Sequence, residues 1–246
     1  MGVPQFKEIR RAYGFDEVTI APGLVTINPE MTNTDFSVDG ITLSTPILGS
    51  AMDAVASPKF ASTMDGLGGM AVMNLEGVQT RYNNPDDMLD EIVEASEESV
   101  TGILQKIYSA PIREELVGER VQEIKKSGAK CAVAVTPAST KRLAPLASEA
   151  GADMIVVQST VTTARHMSTS YRGLIFSELI KSLKVPVLVG NCVTYEVAQE
   201  LMETGIDGIL VGVGPGAACT TREVVGGGVP QVTATLECAA AREDHF

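Results

Sequence analysis

Short apolar runs recur along the chain, each followed by a small or polar turn and then a stretch with helical spacing. Six stand out: residues 46–50 (PILGS), 69–74 (GMAVMN), 131–135 (CAVAV), 154–159 (MIVVQS), 186–191 (PVLVGN) and 208–212 (GILVG). None alternates polar with apolar, so both faces of each predicted strand are expected to be buried, as in a parallel sheet clad in helices. Helices are predicted over 58–67, 85–98, 139–150, 173–183, 195–204 and 229–242. Ile175, Leu179 and Leu183 fall at helical spacing, as do Val197, Ala198 and Leu201.

Residues 148–153 (SEAGAD) and 202–207 (METGID) repeat one design, in which a helix ends on Gly151 or Gly205 at a left-handed cap and the chain enters a strand. Strand starts at 131, 154, 186 and 208 are one βα unit apart. That spacing fits a (β/α)8 TIM barrel and leaves a doubly wound sheet open. About six of eight βα units are countable. The chain therefore reads as a single barrel domain over 1–246, incomplete at its C-terminus, the amino-terminal portion of a longer protein.

Composition narrows the class. The 246 residues are 44% apolar, which excludes a disordered chain. A net charge of −12 with 4% aromatics and no Trp argues against nucleic-acid partners, which need basic grooves or stacking platforms. Four scattered cysteines suit neither a disulfide framework nor a CxxC metal knot, and point to reduced thiols in a cytoplasmic protein. Residues 1–14 contain no apolar leader core, and no run of 18 apolar residues is present to span a membrane.

In a barrel, chemistry gathers at the carboxyl ends of the strands. Those ends read Ser50-Ala-Met-Asp53, Asn74, Thr136-Pro137, Gln158-Ser159-Thr160, Asn191 and Gly212. The last strand runs into residues 212–222 (GVGPGAACTTR), where Gly212, Gly214 and Gly216 precede a thiol, two hydroxyls and Arg222. Glycines let backbone approach a ligand, and hydroxyl donors beside a cation offer Cys219 a route to a lowered pKa. From composition alone, a flexible glycine loop holding an inert small residue is the favoured reading.

The stretch 185–231, with its Gly-Pro-Gly…Cys-Thr-Thr-Arg motif, resembles the signature region of the IMP dehydrogenase/GMP reductase family, and 45–69 resembles that family's first βα unit. Residues 11–17 (RAYGFDE) and 74–82 (NLEGVQTRY) look like a compact IMP dehydrogenase-related subgroup of some bacteria, and the span from Asn74 to Cys131 has no room for a pair of CBS modules. The resemblance implies a TIM barrel that oxidises IMP to XMP with NAD through a covalent cysteine adduct. It also implies, as an alternative, a GMP reductase using NADPH; Gln158, Ala217 and the incomplete barrel motivate a second alternative, a purine-nucleotide-binding protein without turnover.

Carried over, the resemblance makes Cys219 the nucleophile and Thr221 the residue against it. Ser50 and Met52 would line the nucleotide pocket, with Asn191 near the ribose and Gly212 and Gly214 giving backbone contacts. Gln158, Ser159 and Thr160 would meet the dinucleotide, and carbonyls of Gly214, Gly216 and Cys219 would hold a monovalent cation such as K+. The full-length protein would be a homotetramer. Two departures bear on this: Gln158 stands where the family has an Asp, and Ala217 where many dehydrogenases carry a phosphate-binding Ser. The family's phosphate loop and Arg flap would lie beyond Phe246, so the chain alone is not expected to complete a turnover. Of the remaining candidates, Cys131 and Cys192 read as packing residues, Arg165-His166 as surface, Arg81-Tyr82 as a recognition pair or a solvated loop, and the acidic run 86–98 as an outer helix face.

Overall fold

Successive residues of a strand point to opposite faces, and in this chain both faces are apolar. The computed structural model describes residues 10–167 and 173–246, so residues 1–9 of the stretch read for a leader lie outside it. Strands β1 (Phe36–Val38) and β2 (Ile41–Leu43) form an antiparallel hairpin turned at Asp39-Gly40. Both turn residues have positive φ, as a type I′ turn requires. Six strands follow: β3 (Leu48–Gly49), β4 (Met70–Asn74), β5 (Ala132–Val135), β6 (Met154–Gln158), β7 (Val187–Cys192) and β8 (Gly208–Val211). All their pairings are parallel and their order is sequential. A doubly wound sheet reverses direction at a switch point; here the order never reverses, and the six strands form part of a TIM barrel.

The helices are α1 (Pro58–Gly66), α2 (Pro85–Val93), α3 (Val100–Ser109), α4 (Glu114–Lys126), α5 (Thr140–Glu149), α6 (Phe176–Ser182), α7 (Tyr195–Met202), α8 (Thr221–Val225) and α9 (Gln231–His245). The alternation separates two cores. Ala71, Met73, Val133, Val135, Ile155, Val157, Val187 and Val189 face outward onto the helices. Met70, Val72, Ala132, Ala134, Met154, Val156 and Leu188 face inward, where Val38, Ile41 and Leu43 of the hairpin pack against them. Thr45 N–H donates to Gly68 O just before β4, which fixes the hairpin at the amino ends of the strands and leaves their carboxyl ends open.

The expected strands are all present, although the first is only two residues long. Gly151 and Gly205 take positive φ at the ends of α5 and α7, as expected. The helix expected over 85–98 ends at Val93, and α3 and α4 are additional. The signal for α4 is legible in hindsight: Leu116, Val117, Val121 and Ile124 are buried, acids open the helix and lysines close it. The hairpin strands are too short for periodicity to register, but Asp39-Gly40 carries the turn signal.

β7 and β8 meet most tightly at Gly190. A Cβ there would stand 2.4 Å from the Leu210 Cβ and 2.6 Å from its carbonyl oxygen. Gly190→Ala should therefore cost roughly 1–3 kcal/mol in chemical denaturation. By contrast Gly66, whose Cβ position is open, should accept Ala without loss of stability.

Candidate active site

The open carboxyl ends of β3, β6, β7 and β8 surround a cleft of about 700 Å³. Val72, Val156 and Leu210 contribute apolar wall, and Ser50, Met52, Gln158, Ser159, Thr160, Asn191, Gly212 and Gly214 also line it. Residues far apart in sequence thus share one wall because a parallel sheet presents all its strand ends on one side.

Two junctions set the geometry. Asn191 Nδ2 donates to Gly212 O at 2.9 Å, and Gly212 N–H donates to Cys192 O at 3.0 Å, so the ends of β7 and β8 are cross-tied. On the other side, Thr162 is buried, donates from Oγ1 to Gly190 O at 2.6 Å and lies 3.0 Å from Ser159 Oγ. Ser159 Oγ also donates to Val161 O at 2.6 Å, so its hydroxyl serves the loop. The side chains of Gln158 and Thr160 make no hydrogen bond among the described residues.

Beyond β8 the chain enters the glycine loop. Gly212 (φ 135°) and Gly214 (φ 62°) take conformations that side chains disfavour, and a Cβ on Gly212 would meet Gln231 Oε1 at 2.6 Å. Gln231 Nε2 donates to Val211 O at 3.1 Å, and Val229 N–H donates to Val213 O at 3.0 Å, closing the base of the loop. Gly216, Cys219 and Thr221 do not line the cleft; they stand on the part of the loop that leaves its wall at Pro215.

Cys219 is half-buried, its N–H donates to Gly216 O at 3.1 Å, and α8 begins two residues on. Its Sγ lies 3.2 Å from Thr221 Oγ1. Hydrogen bonds from the Thr221 side chain and backbone, with a smaller effect of the Arg222 charge, hold the Cys219 thiol below its ordinary pKa. The other thiols are buried. Burial pushes Cys131 up to about 12, and the Cys238 sulfur 4.0 Å away, together with burial, pushes Cys192 up.

The weaker candidates resolve into structural parts. Arg81 donates to Glu76 O at 2.9 Å and also to Ala110 O, and Tyr82 OH donates to Ile107 O at 2.9 Å, so both residues bind the chain to itself. Arg165 pairs with Glu200 at 2.7 Å, while His166 lines a second cavity of about 300 Å³ with Thr136, Ser159 and Phe176. Thr162, Gln231 and Glu76 escaped the sequence reading because each acts on a partner remote in sequence. Glu76 accepts from Thr136 N–H at 2.6 Å and from the Ser139 hydroxyl at 2.5 Å. Among the described residues, no helix is long and apolar enough to cross a membrane.

A barrel of sequential parallel strands, with a cysteine on a glycine loop at the carboxyl end of β8, defines a recognisable class. The IMP dehydrogenase / GMP reductase domain profile matches residues 12–245, and the chain belongs to that family. Among its relatives, a protein of Mycolicibacterium smegmatis described as an uncharacterized oxidoreductase is 33% identical over 243 residues, covering 96% of this chain and 65% of that protein. The inosine-5'-monophosphate dehydrogenase of Cryptosporidium parvum is 29% identical, over 95% of this chain and 59% of its own length. The crystal structure of an IMP dehydrogenase/GMP reductase-like protein from Corynebacterium glutamicum superposes with a TM-score of 0.89 at 34% identity, covering 97% of this chain and 63% of that one. The chain thus spans roughly two thirds or less of the length of these relatives.

The pH profile of thiol alkylation checks the electrostatics of the loop. Iodoacetamide should label Cys219 first, with a midpoint below the ordinary thiol value of 9.0. Because the thiolate is the reactive form, Thr221→Val should move that midpoint up and slow labelling near neutral pH. An unchanged midpoint would show that Thr221 does not hold the thiolate.

Proposed function

We propose that this chain is the nucleotide-binding portion of a cytoplasmic oxidoreductase that converts IMP to XMP with NAD, using Cys219 as nucleophile and Thr221 to hold it. The observation that carries this reading is the half-exposed Cys219, 3.2 Å from Thr221 Oγ1, on a glycine loop rising from the cleft. Family membership over 12–245 supports it.

In this reading Ser50 and Met52 flank the purine nucleotide, and the amide oxygen of Asn191 accepts from a ribose hydroxyl while its Nδ2 stays on Gly212. Gly212 and Gly214, on the cleft wall, offer backbone groups to the ring. The Cys219 thiolate adds to C2 of the purine, with the Thr221 hydroxyl releasing it from their hydrogen bond as the C–S bond forms. When bound, the nicotinamide supplies the acceptor for the hydride that leaves C2 with its electron pair. That departure leaves a thioimidate on Cys219, and water adding at C2 expels the thiolate. The sum is IMP + NAD+ + H2O → XMP + NADH + H+.

The residues fit a dinucleotide: Gln158 and Thr160 face the cleft with uncommitted side chains, and Gln158 offers both a donor and an acceptor to an amide. They also fit a monovalent cation such as K+. The carbonyls of Gly214 and Cys219 carry no hydrogen bond among the described residues, and that of Gly216 keeps a second lone pair beside its bond from Cys219 N–H. Such an ion would draw on these carbonyls and stiffen the loop that carries the thiol. The complete barrel, built as one domain and assembled as a homotetramer, belongs to the same proposal.

Incubating the intact protein with IMP plus NAD should raise the reduced-nicotinamide absorbance, and Cys219→Ala should lower the rate by at least about a thousandfold while leaving nucleotide binding. Consumption of NADPH with GMP instead would assign the reductive reaction, in which the same thiol displaces ammonia. Nucleotide binding without hydride transfer in either direction would overturn the catalytic reading.

A further inference from the structure

The loop after β3 brings Ser50 and Met52 to the cleft, but its anchor lies behind it. Met52 N–H donates to Ser50 O at 2.8 Å, and the amides of Val55 and Ala56 both donate to Met52 O at 2.9 Å, which folds the loop into a tight turn. The next residue after Met52 is Asp53, which does not line the cleft. Its Oδ2 accepts from Val78 N–H at 3.1 Å and from the Tyr108 hydroxyl at 2.5 Å, whereas Oδ1 is buried without a partner among the described residues. Gly77 lies flush against this carboxylate, since a Cβ there would stand 1.8 Å from Asp53 Oδ1.

Tyr108 sits in the last turn of α3, and neither α2 nor α3 contributes a residue to the cleft. Burial and then the Asp53 hydrogen bond push the Tyr108 hydroxyl well above its ordinary pKa, so it remains a donor at any physiological pH. The Arg81 guanidinium lies 5.9 Å from the Tyr108 ring centre while donating to the carbonyls of Glu76 and Ala110. The turn 76–81 therefore supports Asp53 on one side and, through the Glu76 carboxylate, Thr136 and Ser139 on the other.

We infer that Asp53 and Tyr108 are positioning residues: their hydrogen bond ties the α2–α3 helical pair to the loop 50–53 and sets the pose of Ser50 and Met52, and with it the affinity for a purine mononucleotide. The inference rests on the nucleotide reading of the cleft. Its physical basis is that one carboxylate oxygen takes both donors and the other has none. Removing the Tyr108 hydroxyl leaves a partly desolvated carboxylate with a single donor, a state that is relieved when the loop moves toward water.

Tyr108→Phe deletes the hydroxyl and keeps the ring. In the intact protein without ligand, hydrogen exchange should speed up at the amides of Met52, Val55 and Ala56 and stay unchanged in β5 and β6. IMP binding by calorimetry should weaken roughly tenfold, appearing as a raised KM with kcat nearly unchanged. Asp53→Asn keeps an acceptor for Tyr108 but not the charge, and should fall between the wild type and Tyr108→Phe. Unchanged exchange over 50–56 in Tyr108→Phe would overturn the tether, as would faster exchange spread evenly over the barrel. If the wild-type protein binds neither IMP nor GMP, the nucleotide reading fails, and the exchange result still decides whether Tyr108 holds the loop.

Discussion

The site depends on how closely β7 and β8 approach at their carboxyl ends. Gly190 gives Leu210 the space a side chain would take, and the pairing of the two strands shifts register between Gly190 and Cys192. That approach puts Asn191 Nδ2 on Gly212 O and Gly212 N–H on Cys192 O. The glycine loop starts from this cross-tie, and so does the direction in which Cys219 is carried away from the cleft wall. On the opposite side, Thr162 uses the Gly190 carbonyl to hold the end of β6 to the same point. Three strand ends are thus fixed by contacts centred on one glycine.

Much of the fold was legible because a parallel barrel strand is apolar on both faces. Runs such as 131–135 and 154–159 need cover on both faces, and the structure splits them residue by residue between the two cores. What escaped is what periodicity does not encode. The hairpin strands are too short to show a pattern, whereas α4 does carry one, in the buried face formed by Leu116, Val117, Val121 and Ile124. The resemblance to a known family supplied what spacing left open, the choice of barrel over doubly wound sheet.

The candidate site was legible in its wall and less so in its supports. Ser50, Met52, Gln158, Ser159, Thr160, Asn191, Gly212 and Gly214 come together because strand ends can be read from sequence. Their supports, Asp53, Glu76, Thr162 and Gln231, act across 20 to 60 residues of sequence, and a side chain's partner at that distance leaves no local trace. Cys219 was recognisable from its glycines and hydroxyls, yet the larger influence on its thiol is the nearby Thr221 rather than the Arg222 charge. Gly216, Cys219 and Thr221 stand off the wall on the rising loop, so in the proposed reaction that loop must bring the thiol to the purine.

The proposed reaction requires that Cys219, and no other thiol, form a bond to the purine ring. The direct measurement is peptide mapping by mass spectrometry after mixing the intact protein with IMP and NAD and quenching in acid within the first turnovers. A purine nucleotide is expected on the peptide containing Cys219, and none on those of the buried Cys131, Cys192 and Cys238. Reduced nicotinamide accumulating with no nucleotide on the Cys219 peptide at any quench time, or nucleotide carried by another cysteine, would contradict it.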